Sequence, residues 1–161
     1  MAKVIVEKEQ TVVVQTWQPW VRVIVIGLAV GFVAWVLTSL LARYVIEPLT
    51  CRDVANAAMC LNAVPVAGNV AAIIAALLGT LVLVRMGIAR PIVLAVATAA
   101  LLWDVAAWTA GLHWFETILW TILLYALSYL LFAWIARYAR LWVVLVVSLL
   151  IVVIIRIALV L

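Results

Sequence analysis

The sequence predicts an all-α integral membrane protein, a polytopic bundle of five transmembrane helices. Two observations predict it. Of the 161 residues, 72% are hydrophobic and 10% charged, whereas soluble domains average about 45–50% apolar and about 25% charged. The apolar residues also gather into five runs, each near the ~20 residues that carry a helix across ~30 Å of hydrocarbon. Barrel strands would alternate in polarity, and these runs do not, so helices are the spanning element. In water such a chain would bare large greasy patches, which argues against a soluble enzyme or a nucleic-acid-binding domain. The net charge of +4 arises from basic residues scattered at the ends of the apolar runs. That pattern sets topology rather than marking a nucleic-acid surface.

Residues 1–20 read as a cytoplasmic tail. Val4-Ile5-Val6 and Val12-Val13-Val14 flank Glu7-Lys8-Glu9-Gln10, a pattern open to two short strands. The intervening residues lack the Gly, Asn or Asp of a hairpin turn, so an interfacial tail fits equally well. Trp17, Pro19 and Trp20 form an aromatic anchor at the entry to the membrane.

The remaining residues, 21–161, read as one membrane domain. The first run, 21–42, is broken only by Arg22 and exceeds the about 7–15 residues of a signal-peptide core, so it is read as a retained span. Residues 43–65 are the one long loop. The second run covers 66–86 and the third 91–111, with Gly87 before the intervening turn and Pro91 at a first-turn position. Gly111 makes the turn into the fourth run, 113–136. Residues 137–140 contain no Gly or Pro, yet one helix over 113–161 would be ~73 Å long, so the chain turns there into the fifth run, 142–161.

With five alternating spans, Lys3, Lys8, Arg22, Arg85, Arg90, Arg137 and Arg140 share one side, and Arg43 and Arg52 the other. The positive-inside rule then places the N-terminus in the cytoplasm, and the 43–65 loop and the C-terminus outside. Cys51 and Cys60 both fall in that external loop. Two thiols separated by eight residues suit a structural disulfide in an oxidising compartment better than a Cys-x-x-Cys redox pair. Too few other ligands accompany them for a metal site.

Asp104 is the most informative single residue. It lies inside the third run, about 10 Å below the outer end, too deep for so short a side chain to reach water. Ala97, Ala100, Asp104, Ala107 and Gly111 share a helix face by spacing. Comparable small-residue stripes are Gly27, Gly31, Ala34 and Thr38 in the first run, and Gly68, Ala72, Ala75 and Gly79 in the second. Three such faces predict a tightly packed core with Asp104 directed into it. Arg156 in the fifth run stands at a depth that permits an ion pair with Asp104, but it also lies five residues from the end of the chain and has the reach to snorkel to headgroups. The sequence favours snorkelling. On either reading, Asp104→Asn is expected to change assembly or activity more than Arg156→Gln.

His113, Glu116 and Trp120 share a face at the outer end of the fourth run. A proton relay from His113 and Glu116 to Asp104 is one reading; a solvated polar cap with aromatic anchors is the favoured one. Thr117, Thr121, Tyr125 and Ser128 read as helix-packing hydroxyls. The fifth run offers only Ser148 between Val143 and Ile155, which suits a peripheral helix facing lipid or a partner.

No catalytic motif, phosphate loop or metal-ligand cluster is present, so neither an enzyme nor a cofactor is expected. The expected function is that of a non-enzymatic structural or accessory subunit of a membrane assembly. The alternative is a small homo-oligomeric transporter or channel, proton-coupled through Asp104. Expected partners are the lipid bilayer and, within it, further copies of the chain or other membrane subunits, with no nucleic acid. The short loops suit a bacterial inner (plasma) membrane.

Overall fold

The structure, a computed structural model, describes residues 18–51, 60, 62–88, 90–138 and 140–160. The strand pattern at 4–6 and 12–14, Trp17, Lys3, Lys8 and Arg52 lie outside the described residues. Every regular element described is helical. Five helical stretches are long and apolar enough to cross a membrane: Trp20–Thr50, Ala63–Arg85, Pro91–Trp108, Trp114–Arg137 and Leu141–Ala158.

The first is α1 (Gln18–Leu41), which continues through a π-helical turn (Ala42–Ile46) into α2 (Glu47–Thr50). The helix therefore runs on into what the sequence assigned to the 43–65 loop. Arg43, Tyr44 and Glu47 end the apolar run, but charge alone does not end a helix. Pro48 has no N–H to give to the carbonyl one turn back, and its ring crowds that carbonyl. The wider π turn immediately before it absorbs the conflict.

The second span is α3 (Ala63–Arg85). It ends in a Schellman motif: Ile88 N–H donates to the Leu83 carbonyl (3.1 Å), and Gly87 N–H to that of Val84 (3.0 Å). Gly87 has φ +66°, a left-handed conformation that glycine adopts without a steric cost. Pro91 then opens α4 (Pro91–Leu101), followed by a short α5 (Val105–Trp108). The third span is thus interrupted within the stretch predicted as one helix over 91–111. The fourth span is α6 (Trp114–Tyr138) and the fifth α7 (Leu141–Val160).

α1 packs most closely on α6. A methyl group added at Gly27 would lie 2.7 Å from Ala126 Cα, and one at Gly31 2.9 Å from Ile122 Cα. These glycines let two backbones meet, which is how helices gain contact where lipid supplies no hydrophobic drive. The α3 stripe packs likewise: Gly68 receives Ala106, Ala72 and Ala75 are buried, and Gly79 makes room for the Tyr129 hydroxyl. Val30, Ala34, Leu83, Leu94, Tyr129 and Phe132 sit at the centre of the bundle. α7 is peripheral, with 11% of its span buried in the protein against 33–50% for the other four. Its inner edge is marked by Val144 and Ser148, both buried.

One predicted stripe is corrected. Ala97 is buried and Ala100 half-buried, but Ala107 and Gly111 are exposed. The interruption between α4 and α5 resets the helical phase, and Ala106 instead of Ala107 meets Gly68.

Candidate functional site

The interruption of the third span is where polar chemistry concentrates. Leu102 N–H still bonds to the Thr98 carbonyl (3.0 Å), closing the last regular turn of α4. Leu102 and Asp104 then leave helical geometry, with φ/ψ of −98°/20° and −106°/22°. Val105 N–H reaches back only three residues, to Leu102 (3.1 Å). A break of this kind frees backbone groups at membrane depth, where water is not available to bond them.

Neighbouring spans supply the replacements. With its amide assigned in the orientation that satisfies both neighbours, the Asn69 carboxamide of α3 donates to the Trp103 carbonyl and accepts from the Trp103 indole N–H (3.2 Å). From the other side, Arg156 Nη2 of α7 approaches the Ala100 carbonyl at 3.4 Å. Arg156 Nη1 donates to the Asp104 carboxylate in a salt bridge. Arg156 also lies over the Trp108 ring, 6.0 Å from its centroid, a cation–π distance.

Asp104 occupies the N-cap position of α5, where an aspartate normally bonds the first free N–H groups. Its side chain makes no such bond, because the carboxylate is turned to Arg156. Its backbone carbonyl accepts from Ala107 and Trp108 N–H at 2.9 and 3.1 Å.

Two expectations are revised here. Snorkelling was favoured for Arg156, but the guanidinium turns inward to Asp104, since the broken span offers it a carboxylate and a freed carbonyl together. Asp104 was expected to point into the core formed by the small-residue faces. It faces the peripheral α7 instead and stays about a third exposed, as does Arg156.

His113 and Glu116 are both exposed. The described hydrogen bonds and ion pairs include none that links either side chain to Asp104. His113 contacts the neighbouring Trp114 ring, as in an interfacial cap. Between these residues and the core lies a crevice of about 420 Å³, into which Thr38, Thr109, Thr117, Thr121 and Tyr125 face. Most of these hydroxyls are bound to their own helix: Thr38 to Ala34 O (2.8 Å), Thr109 to Val105 O (2.9 Å) and Thr121 to Thr117 O (2.7 Å). Val105 and Ala106 line the crevice, whereas Asp104 does not, so hydroxyls and carboxylate lie on different sides of the third span.

Cys51 and Cys60 form a disulfide with Cα atoms 4.9 Å apart, directly after the last turn of α2. Among the described residues, no three of His, Cys, Asp and Glu come together as a metal site would need. Asn69 is the residue the sequence reading missed. Its signal was there, as the one carboxamide in the second apolar run.

No protein-family model, curated protein or solved structure matches this chain.

Proposed function

We propose that the protein is a non-enzymatic multi-pass membrane protein serving as a structural or accessory subunit of a membrane assembly, with α7 as its docking helix. The observation that carries this reading is the contrast between a four-span core joined by glycine contacts and an α7 that packs one edge on that core and leaves most of its residues exposed. The Asp104–Arg156 pair then fixes the angle at which α7 is presented. The separation of the hydroxyl crevice from Asp104 supports the same reading, because it leaves the polar groups in fragments rather than along a path.

The proposed orientation puts the N-terminus in the cytoplasm and the disulfide outside, in a bacterial inner membrane. The segregation of arginines supports it, and so does the disulfide, which persists in oxidising compartments.

A photo-crosslinking residue at Leu149, exposed on α7, and another at Leu77, exposed on α3, test the reading in native membranes. A discrete protein adduct from position 149 and none from position 77 is expected. Lipid adducts alone from both positions would reject α7 as a docking helix.

One observation favours the second reading, a small homo-oligomeric transporter or channel. Broken spans that hold ionisable side chains at membrane depth are a feature of transport proteins. Proton flux into liposomes that is abolished by Asp104→Asn would establish it, and flux no greater than in empty liposomes would discard it.

A further inference from the structure

The opposite end of the bundle has a different chemistry. The start of α1, the α3–α4 turn, the end of α6 and the start of α7 meet there. They bring together Arg22, Arg85, Arg90, Arg137 and Arg140. Three of these arginines, Arg22, Arg90 and Arg137, come from three separate segments and line one cavity of about 590 Å³.

The cavity is shaped by specific local structure. Arg90 has φ +58° and is the one described non-glycine residue with positive φ, a conformation that costs an ordinary side chain energy and tends to persist at functional positions. It directs the guanidinium across to α6, where Nη1 lies 3.4 Å from the Ala136 carbonyl. Arg137 lies over the Trp20 ring, 5.6 Å from its centroid. Deeper in, the wall turns apolar with Val23, Leu94 and Ala133.

Trp20 is shared with a second cavity. This is an almost wholly apolar groove of about 710 Å³ that follows Leu124, Leu127, Leu131 and Trp134 along α6. Those four residues cover about 15 Å of helix, a length suited to an acyl chain. A cationic mouth on an apolar groove fits an amphiphile of one kind.

We propose that this end of the bundle is a binding site for an anionic phospholipid. Arg22, Arg90 and Arg137 hold the headgroup phosphate, Trp20 sits at the glycerol level, and one acyl chain lies in the α6 groove. Basic pockets between spans bind anionic headgroups by this chemistry, and guanidinium matches phosphate geometry. The inference is independent of the docking role of α7.

Native mass spectrometry in mild detergent tests it, with titrations of long-chain phosphatidylglycerol, its dihexanoyl analogue, phosphatidylcholine and inorganic phosphate. One phosphatidylglycerol per chain is expected, bound at least tenfold more tightly than phosphatidylcholine and than the dihexanoyl analogue. Each arginine near an anionic headgroup contributes about fivefold in affinity, so Arg22→Gln should weaken binding by about that factor. Arg85→Gln, the same charge change outside the cavity, should leave it within about twofold. Arg22 is exposed near the start of α1, so its loss leaves the fold intact. Equal binding of phosphatidylcholine, equal binding of the short-chain analogue, displacement by inorganic phosphate at matching concentration, or equal effects of the two arginine variants would each overturn the proposal.

Discussion

The Asp104–Arg156 salt bridge joins the third and fifth spans, so its value is best measured as a coupling. Both side chains are about a third exposed, which reduces the interaction relative to a fully buried pair. Asp104→Asn and Arg156→Gln should each destabilise the bundle. In a double-mutant cycle of thermal unfolding in detergent, a coupling of about 1 kcal/mol is expected. Additive single effects would show that the contact does not hold α7. The glycines present a steric case. At Gly31 an added methyl meets the Ile122 backbone and the Tyr125 Cβ, both at 2.9 Å, and neither can swing away as a flexible side-chain end would. Gly31→Ala should therefore cost about 1–3 kcal/mol as overpacking, read as a lowered melting temperature. Gly111 makes a useful contrast, because nothing lies within 4 Å of its added methyl and only its φ of +96° opposes substitution.

Among the elements, the interrupted third span depends on groups outside it. Asn69→Leu removes the carboxamide that meets the Trp103 carbonyl and leaves a freed backbone group in an apolar setting. A loss of about 1 kcal/mol is expected, together with faster amide exchange across 102–105 than across 94–98. Unchanged exchange at the break would mean that Asn69 does not support it. The five spans were legible because run length and hydropathy are local properties of a sequence, and the Gly87 and Pro91 signals marked their turn for the same reason. The break at Leu102–Asp104 was not legible. Leu-Leu-Trp-Asp-Val holds no Gly or Pro, and the groups that compensate for the lost helical bonds, Asn69 and Arg156, lie far away in sequence. The extension of α1 through Pro48 was missed for a related reason: a π turn accommodates a proline that would otherwise end the helix. For the site, residue types and depth identified Asp104 and Arg156, but choosing between pairing and snorkelling required the packing of α7. The disulfide was legible from the cysteine count, and closing its loop should contribute about 2–3 kcal/mol, lost on reduction without change in helix content.

The whole molecule is electrically lopsided, and this decides how it sits in a membrane. Five described arginines, Arg22, Arg85, Arg90, Arg137 and Arg140, gather at one end, and Arg43 lies on the helical stretch that leads to the disulfide at the other. Glu47 and Glu116 lie on elements of the disulfide end and add to the contrast. Moving a positively charged loop across the bilayer is resisted far more than moving a neutral or acidic one, so the arginine end should remain cytoplasmic. The disulfide end should then be external, where oxidation is maintained. Both native cysteines are bonded, so a cysteine introduced elsewhere is the lone free thiol and reports its side unambiguously. Met86, at the arginine end, and Leu112, at the turn into α6, are both exposed and suit the measurement. In intact cells an impermeant maleimide should label Leu112→Cys and spare Met86→Cys until the membrane is opened. The reverse labelling would invert the molecule and place the arginine cavity on the outer leaflet. Labelling of both sites in intact cells would show two coexisting orientations, which so uneven a charge distribution should not permit.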